Sequence, residues 1–527
     1  MRDLIVAVDI GTGSARAGVF DRSGTMLGRA EHPIAMRRPS ADLAEHDSED
    51  IWQAVCTAVK AACKAADAPA ARVAAFGVDA TCSLVVRDTA GNPLAVSGGE
   101  GERWDTIVWL DHRALEEADL CTATGHPVLA HSGRVMSPEM EMPKLMWLKR
   151  QRPGQWAKAG YFFDLADFIT WRATGSNARS RCTMTAKWNY LAHETAPWRA
   201  DFLKAVGLED VRERGGLPDE TAPVGAAVGR LTKDAAEALG LDTDCVVAAG
   251  LIDAYAGALG VLGSFAGEPE KLERQLALIG GTSSCIVAFS RSAKFGLGLW
   301  GPYYEAVLPG WWLVEGGQSA TGALLDHVVR AHSAGGEPTA ANHARILARI
   351  AVLRAEEGEA FGTRLHVLPD FHGNRSPLAD PQALGVISGL ALDASFDGLC
   401  CLYWRTAVAI ALGIRHILET MGEGGYLPDT LHVAGGHLRN PLLMELYRDV
   451  TGCRLVVPEA GDAVLLGSAM AAAVAGGLHG DLPSAGRAMH PGGRTLLPDA
   501  GRKAGYDRDY RRFLTLYRHR AELEAMP

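Results

Sequence analysis

The chain has 527 residues, a net charge of −10, 48% hydrophobic residues and 22% charged ones. That length exceeds what one core organises, so two domains of roughly 250 residues are expected, and the acidic balance leaves no basic footprint for nucleic acid. Ten cysteines without a C-x-x-C pair, and no signal-peptide pattern behind Asp3, predict reduced thiols and a cytoplasmic protein, and the uncharged stretch Ala463 to Leu478 is too short and too Gly/Ala-rich to span a membrane.

Leu4 to Val8 is an apolar, branched run that reads as a buried strand ending at Asp9. Gly11-Thr12-Gly13-Ser14 makes a tight turn, Arg16 opens a second apolar run to Phe20, and Asp21 to Gly24 turns again. Backbone amides in such a glycine turn can cradle a phosphate, and the acid beside them can hold a magnesium ion through water. The stretch is close to a dinucleotide fingerprint, but Arg16 stands at the third glycine position and a strand, not a helix, follows.

A strand is expected near Met26 to His32, then a helix from about Glu49 to Ala66 capped by Ser48, with Ile51, Val55, Val59 and Ala62 on one face. Val73 to Val78 predicts a strand ending at Asp79, followed by Thr81-Cys82-Ser83-Leu84-Val85. Ile107 to Leu110 predicts a third strand, ending at Asp111. Three strand-end acids (Asp9, Asp79 and Asp111) suit an open α/β sheet, where ligands gather at the carboxyl ends of strands.

Helices are expected at Pro143 to Arg150, Leu165 to Thr174 and Arg179 to Tyr190, the last carrying Lys187, which by default is a solvated surface lysine. Val246 to Ile252 reads as a strand delivering Asp253, and the small residues Ala254 to Gly263 suit a tightly packed helix. The boundary falls near Gly263, giving domains 1–262 and 263–527.

Leu276 to Val287 repeats the opening pattern: apolar run, Gly281-Thr282 turn, apolar run. Two such hairpins, one per half, suggest a duplicated fold with a nucleotide clamped between the halves. Trp311 to Val314 leads into Glu315-Gly-Gly-Gln, Phe371 to Pro377 is a loop, and Leu399 to Met421 is a long helix. Leu431 to Ala434 is a strand running into Gly435-Gly436, where a flat ring can approach the backbone, with Asn440 shortly after. A small-residue helix at Val464 to Val474 and a charged, aromatic helix at Tyr506 to Ala525 complete the chain.

Asp9-Ile-Gly-Thr-Gly-Ser-Ala-Arg16, Gly280-Gly-Thr282, Gly435-Gly436 and Asp253 in Leu-Ile-Asp-Ala-Tyr, in that order, resemble the FGGY carbohydrate kinases. The resemblance covers nearly the whole chain. It implies an α/β, two-domain actin-like ATPase (ribonuclease H-like) fold with the active site in the interdomain cleft, and ATP and Mg2+ as the cofactors. It assigns Asp253 as general base and Asp9 to the magnesium site. Gly11, Thr12, Gly13, Ser14, Arg16, Gly281 and Thr282 fall to the phosphates, and Gly435, Gly436 and Asn440 to the nucleoside. Asp111, Lys187 and Glu315 match sugar contacts of ribulokinase-like members, and Thr81, Cys82 and Ser83 look like a signature of the D-ribulokinase branch. The expected reaction is therefore phosphorylation of D-ribulose to D-ribulose 5-phosphate, with L-ribulose or ribitol as alternatives. A non-kinase ATPase regulator of the same fold is the reading from a different class. Partners are a small sugar and ATP, with no nucleic acid and no membrane, and a homodimer is compatible with the sequence. No Gly-Lys dipeptide occurs, which excludes a Walker A loop.

Overall fold

The computed structural model describes residues 2–40, 42–98, 102–459, 461–490 and 492–526, with the side chain of residue 359 outside the description. Two seven-stranded sheets organise it. In the first, the hairpin Leu4–Ile10 and Ser14–Phe20 is extended on one side by Met26–Pro33 and on the other by Val73–Ala80, which runs parallel to the first strand. Val246–Ala248 and Leu251–Ile252 pair beyond it, and Ala227–Arg230 closes the edge. The second sheet repeats this plan: the hairpin Gln275–Gly280 and Ser284–Ser290 is flanked by antiparallel Trp312–Gln318 and by parallel Thr430–Ala434, with Arg454–Val457 and Arg494–Leu496 outside and Trp300–Tyr304 on the far edge. The duplicated hairpin pattern of the sequence is thus a duplicated sheet.

Leu4–Ile10 and Val73–Ala80 are buried along their whole length, which is why they read as continuous apolar runs rather than alternating ones. Successive side chains go to opposite faces: Val6, Val8 and Ile10 join Ile51, Val55 and Val59 of helix Ser48–Ala65, whereas Ile5 and Ala7 join Ala469 and Ala472 of helix Ala463–Ala475. The small-residue helix near the end of the chain therefore covers the first sheet. Helix Asp253–Leu262 in turn packs on Gln275–Gly280 of the second sheet. These two helices cross almost backbone to backbone. A Cβ at Gly260 would sit 1.9 Å from the Ala463 carbonyl oxygen, and one at Gly467 would sit 1.8 Å from that of Ala256.

Several boundaries differ from the sequence reading. Helix Ser48–Ala65 is capped by Asp47, whose carboxylate accepts from the Glu49 amide; Ser48 instead donates to Asp105, at 2.5 Å. The strand expected at Ile107 to Leu110 is only Thr106–Ile107 and belongs to a separate five-stranded sheet with Met36–Arg37, Glu45–His46, Leu84–Asp88 and Ala159–Asp164. Asp111 follows a turn off that sheet, so it does not share a strand-end row with Asp9 and Asp79. Val246 to Ile252 breaks at Ala249-Gly250, where a Cβ on Gly250 would lie 2.9 Å from Ala166. The helix expected at Arg179 to Tyr190 is Arg181–Lys187, and its Lys187 is buried rather than solvated. All ten cysteines are free. Helix Phe396–Glu423 is long and apolar enough to cross a membrane by composition, but 78% of that window is buried inside the protein.

Candidate active site

The two hairpin turns and the start of helix Asp253–Leu262 converge where the sheets meet. Register places Arg16, Asp9 and Asp79 side by side on three adjacent strands. Arg16 Nη2 lies 2.6 Å from Asp9 Oδ2, and Asp79 Oδ2 accepts from Ser468 Oγ at 2.6 Å, tying the first sheet to the helix that covers it. Both Asp9 oxygens and Asp79 Oδ1 are buried without a hydrogen-bonding partner of good geometry. Burial pushes the Asp9 carboxyl up to about 7; Arg16 pulls it down, while Asp462 and Asp253 push it further up. Asp79 is also raised, by burial first and then by Asp9. Two raised acids side by side fit part of a divalent-cation site, whose binding would relieve both groups, although among the described residues no group of three or more His, Cys, Asp or Glu side chains is arranged to hold a metal ion by itself.

Asp253 is the first residue of its helix, with Ile252 in the capping position and its own Oδ1 accepting from the Ala254 amide at 2.7 Å. Burial raises it to about 6; the Ala254 bond and Arg16 oppose the shift and Glu315 adds to it. A carboxylate with that pKa is ionised at neutral pH yet close enough to it to take a proton effectively.

Across the cleft, Glu315 is almost fully buried on strand Trp312–Gln318. It accepts from Tyr255 Oη at 2.9 Å and from Cys285 Sγ at 3.3 Å, with Lys187 Nζ 3.9 Å and Arg375 Nη1 3.6 Å away. Burial opposes the charge on Lys187, but the neighbouring Cys82 and then Glu315 outweigh it and hold the ammonium well above the ordinary lysine value. The same ammonium sits 4.1 Å from the Trp300 ring centre. The sequence reading assigns Lys187, Glu315 and Asp253 to one site; Lys187 and Glu315 lie 3.9 Å apart, and Asp253 opens the helix whose Tyr255 bonds Glu315. It did not single out Arg375, Glu139 or Trp300. Arg375 lies in the Phe371 to Pro377 stretch that read only as a loop; Glu139 carried no local signal at all.

The segment Thr81–Ser83 follows the strand Val73–Ala80 as expected, and its two hydroxyls lie against each other. Ser83 Oγ accepts from the Trp109 amide at 3.2 Å and lies 3.2 Å from Thr81 Oγ1, and Trp109 Nε1 donates to Thr12 Oγ1 at 2.9 Å. Ser83 thus braces Trp109 against the Gly11 to Ser14 turn. Cys82 is buried, its thiol pushed up to about 12 by that burial. Asp111 is saturated: it accepts from the Ala44 amide (2.7 Å) and from the Arg113 amide, Nε and Nη2 (2.9, 2.8 and 2.7 Å). Four donors fill the acceptor sites of a carboxylate, so Asp111 anchors its loop instead of presenting a free sugar acceptor.

In the first turn, the Gly11 amide donates to Ser14 O, and Ser14 Oγ donates to Glu31 Oε1 at 2.7 Å. In the second, Gly281 and Thr282 are exposed, and their carbonyls accept from the amides of Gly322 and Thr321. His437 staples this turn to the Gly435-Gly436 segment. Burial lowers its pKa to about 4, so the ring is neutral; Nε2 lies 3.0 Å from Gly281 O and Nδ1 2.8 Å from Tyr447 Oη. Gly435, at φ +86°, has no room for a Cβ, which would meet Gly280 O at 2.5 Å. Asn440 caps helix Pro441–Thr451 through the Leu442 and Leu443 amides, so its oxygen serves the helix.

Residues 4–260 match the N-terminal domain and residues 276–476 the C-terminal domain of the FGGY family of carbohydrate kinases. The chain belongs to that family. It is 42% identical to an FGGY carbohydrate kinase domain-containing protein of Homo sapiens, over 99% of this chain and 97% of the relative. It is 36% identical to a D-ribulokinase of Saccharomyces cerevisiae, over 89% of this chain and 71% of that protein. The fold matches a xylulose kinase from Rhodospirillum rubrum with a TM-score of 0.79 at 24% identity, covering 99% of both chains. This FGGY protein is accordingly a sugar kinase with the two-domain α/β kinase fold, and kinases of this family use ATP as cosubstrate.

Proposed function

We propose that this FGGY kinase transfers the γ-phosphoryl group of ATP to the terminal hydroxyl of a pentulose, D-ribulose first among them, giving D-ribulose 5-phosphate. The observation that carries this is the constellation of half-buried Asp253 with buried Lys187 and Glu315 at the junction of the halves, which an ATPase regulator without a small substrate has no use for. The identity to a protein named a D-ribulokinase, over most of the chain, points to the same sugar class.

In this reading Asp253 takes the proton of the attacking hydroxyl as the oxygen bonds to phosphorus. Lys187 and Glu315, one charged donor and one acceptor, orient the sugar's other oxygens. The turns Gly11 to Ser14 and Gly281-Thr282 hold the phosphates from opposite sides through amides other than those of Gly11 and Gly281, which close the turns on Ser14 O and Ser283 O, Arg16 adds charge, and Gly435-Gly436 receives the nucleoside, with Asn440 shaping that pocket through its helix. Asp9, with Asp79 beside it, would hold Mg2+, which neutralises charge on the phosphates when bound. Domains divide at 262/263, and closure of the halves excludes water that would otherwise hydrolyse ATP.

The test is kcat/KM for D-ribulose, L-ribulose, ribitol and D-xylulose with Mg-ATP. D-ribulose is expected to lead, because a site built to pair particular hydroxyls rejects analogues that leave its polar groups unpaired. A different leader overturns the substrate; sugar-independent ATP hydrolysis at the same rate overturns the kinase reading.

A further inference from the structure

The loop between strand His366–Leu368 and strand Val386–Ser388 carries an arginine that the mechanism above does not use. Arg375 belongs to the second half of the chain, yet its Nη2 donates to Glu139 Oε2 of the first half at 3.0 Å. Its Nη1 stands 3.6 Å from Glu315 Oε1 and donates to Cys285 Sγ at 3.5 Å. The guanidinium lies between two indoles, 4.9 Å from the Trp300 ring centre and 5.6 Å from that of Trp109. Arg375 and Glu139 are both buried, at 9% and 8% exposure.

Following the charges gives a chain that crosses the cleft twice: Glu139 (first half), Arg375 and Glu315 (second half), Lys187 (first half). The two groups assigned to the sugar, Glu315 and Lys187, form its far end. Trp109 connects the near end to the first phosphate turn through its bond to Thr12. The strand accommodates this layout through its glycines. A Cβ on Gly317 would sit 2.9 Å from Arg375 Cδ and Nη1, and one on Gly316 would sit 2.5 Å from Ile417 of the long helix. Glu315-Gly-Gly-Gln318 therefore leaves one side open to the guanidinium and the other to the helix.

A second link joins the same two segments. His112, one residue past Asp111, stacks on His372 of the arginine loop with ring centres 5.2 Å apart. The loop from Phe371 to Pro377 thus bears on the first half at two points, Glu139 and His112.

We infer that Arg375 is a further positioning residue for the sugar: bridging to Glu139 across the cleft, it sets Glu315 and Lys187 in place only when the halves are closed. A carboxylate flanked by one cation from each half is held at a defined point only while both cations are present. Losing Arg375 leaves Glu315 to Lys187 alone, and the sugar loses a fixed acceptor while the nucleotide turns keep their own bonds. This rests on the pentulose reading given above.

The test is a double-mutant cycle of Arg375→Met and Glu139→Gln. Each single variant is expected to raise KM for the sugar by about 10²-fold, the scale of a misplacement of about 1 Å, with KM for ATP unchanged. The double variant is expected to be no worse than Arg375→Met alone, since the two residues act as one unit. A sugar KM within about twofold of wild type in Arg375→Met, or penalties that multiply in the double variant, overturns the proposal. If Arg375→Met does not fold, Gly317→Ala crowds the same guanidinium without altering charge and is read by the same ratio of the two KM values. Wild-type enzyme inactive on every pentulose overturns the functional reading instead. The cycle then uses whichever sugar is turned over, and an unmoved sugar KM there still refutes the role of Arg375.

Discussion

Replacing Asp253 by Asn is the perturbation with the sharpest consequences, because catalysis and stability should move in opposite directions. Asp253 sits at the start of a buried helix, and burial raises its pKa from 3.8 to about 6. Between those values the folded protein holds a proton that the unfolded chain has released, so stability falls as pH rises through that window. Above pH 6 the ionised carboxylate costs up to about 3 kcal/mol, a cost absent below about pH 4. The asparagine amide carries no such charge. The Asp253→Asn variant is expected to unfold at a higher temperature than wild type at pH 8, with the gap closing as pH falls toward 4. Loss of the base should cut kcat by about 10²–10⁴-fold, which is about 3–5 kcal/mol of barrier, while nucleotide affinity stays near the wild-type value. In the wild type, kcat/KM for the sugar should rise through about pH 6 as Asp253 ionises. The assays are thermal unfolding across pH, steady-state kinetics and nucleotide titration. Near wild-type turnover in the variant would refute the assignment. A variant that is both inactive and less stable at pH 8 would refute the claim that burial of the charge, and not its partners, dominates.

Lys187→Met leaves Glu315 with one cation fewer in a buried site and should cost about 3–5 kcal/mol, whereas Lys187→Met with Glu315→Gln should cost less than the single change; denaturant unfolding checks both. Ser83→Ala removes the acceptor of the Trp109 amide and should cost about 1–3 kcal/mol, and Ser83→Leu should additionally disturb the ranking of pentuloses; unchanged rates and ranking would reject the role given to that segment. Gly260→Ala places a methyl group against the Ala463 carbonyl and should destabilise by about 1–3 kcal/mol or more, measurable as a fall in the unfolding midpoint. Small-angle scattering with sugar plus a non-hydrolysable nucleotide should show compaction relative to the free enzyme, and an unchanged radius of gyration would count against closure.

The sequence by itself determined the repeated hairpins, the acids at Asp9, Asp79 and Asp253, and the long buried helix. Each follows from a local rule: branched apolar runs make buried strands, glycine turns expose amides, and small or amphipathic periods make helices. Tertiary structure alone decided which of these groups meet. Lys187 reads as a surface lysine because nothing within its helix pairs with it; its partner Glu315 is 128 positions away, on the other half. Asp111 reads as a strand-end site acid, but Arg113 and the Ala44 amide consume its oxygens. Arg375 reads as part of a loop, and only the approach of Glu139, 236 positions earlier, gives it a place in the site. The boundary expected near Gly263 falls directly behind helix Asp253–Leu262, which is locked against Ala463–Ala475 at Gly260 and Gly467. Side-chain type fixes what a residue can do, but charge pairing, burial and the resulting pKa depend on neighbours brought together by chain folding, and a linear pattern does not carry those distances.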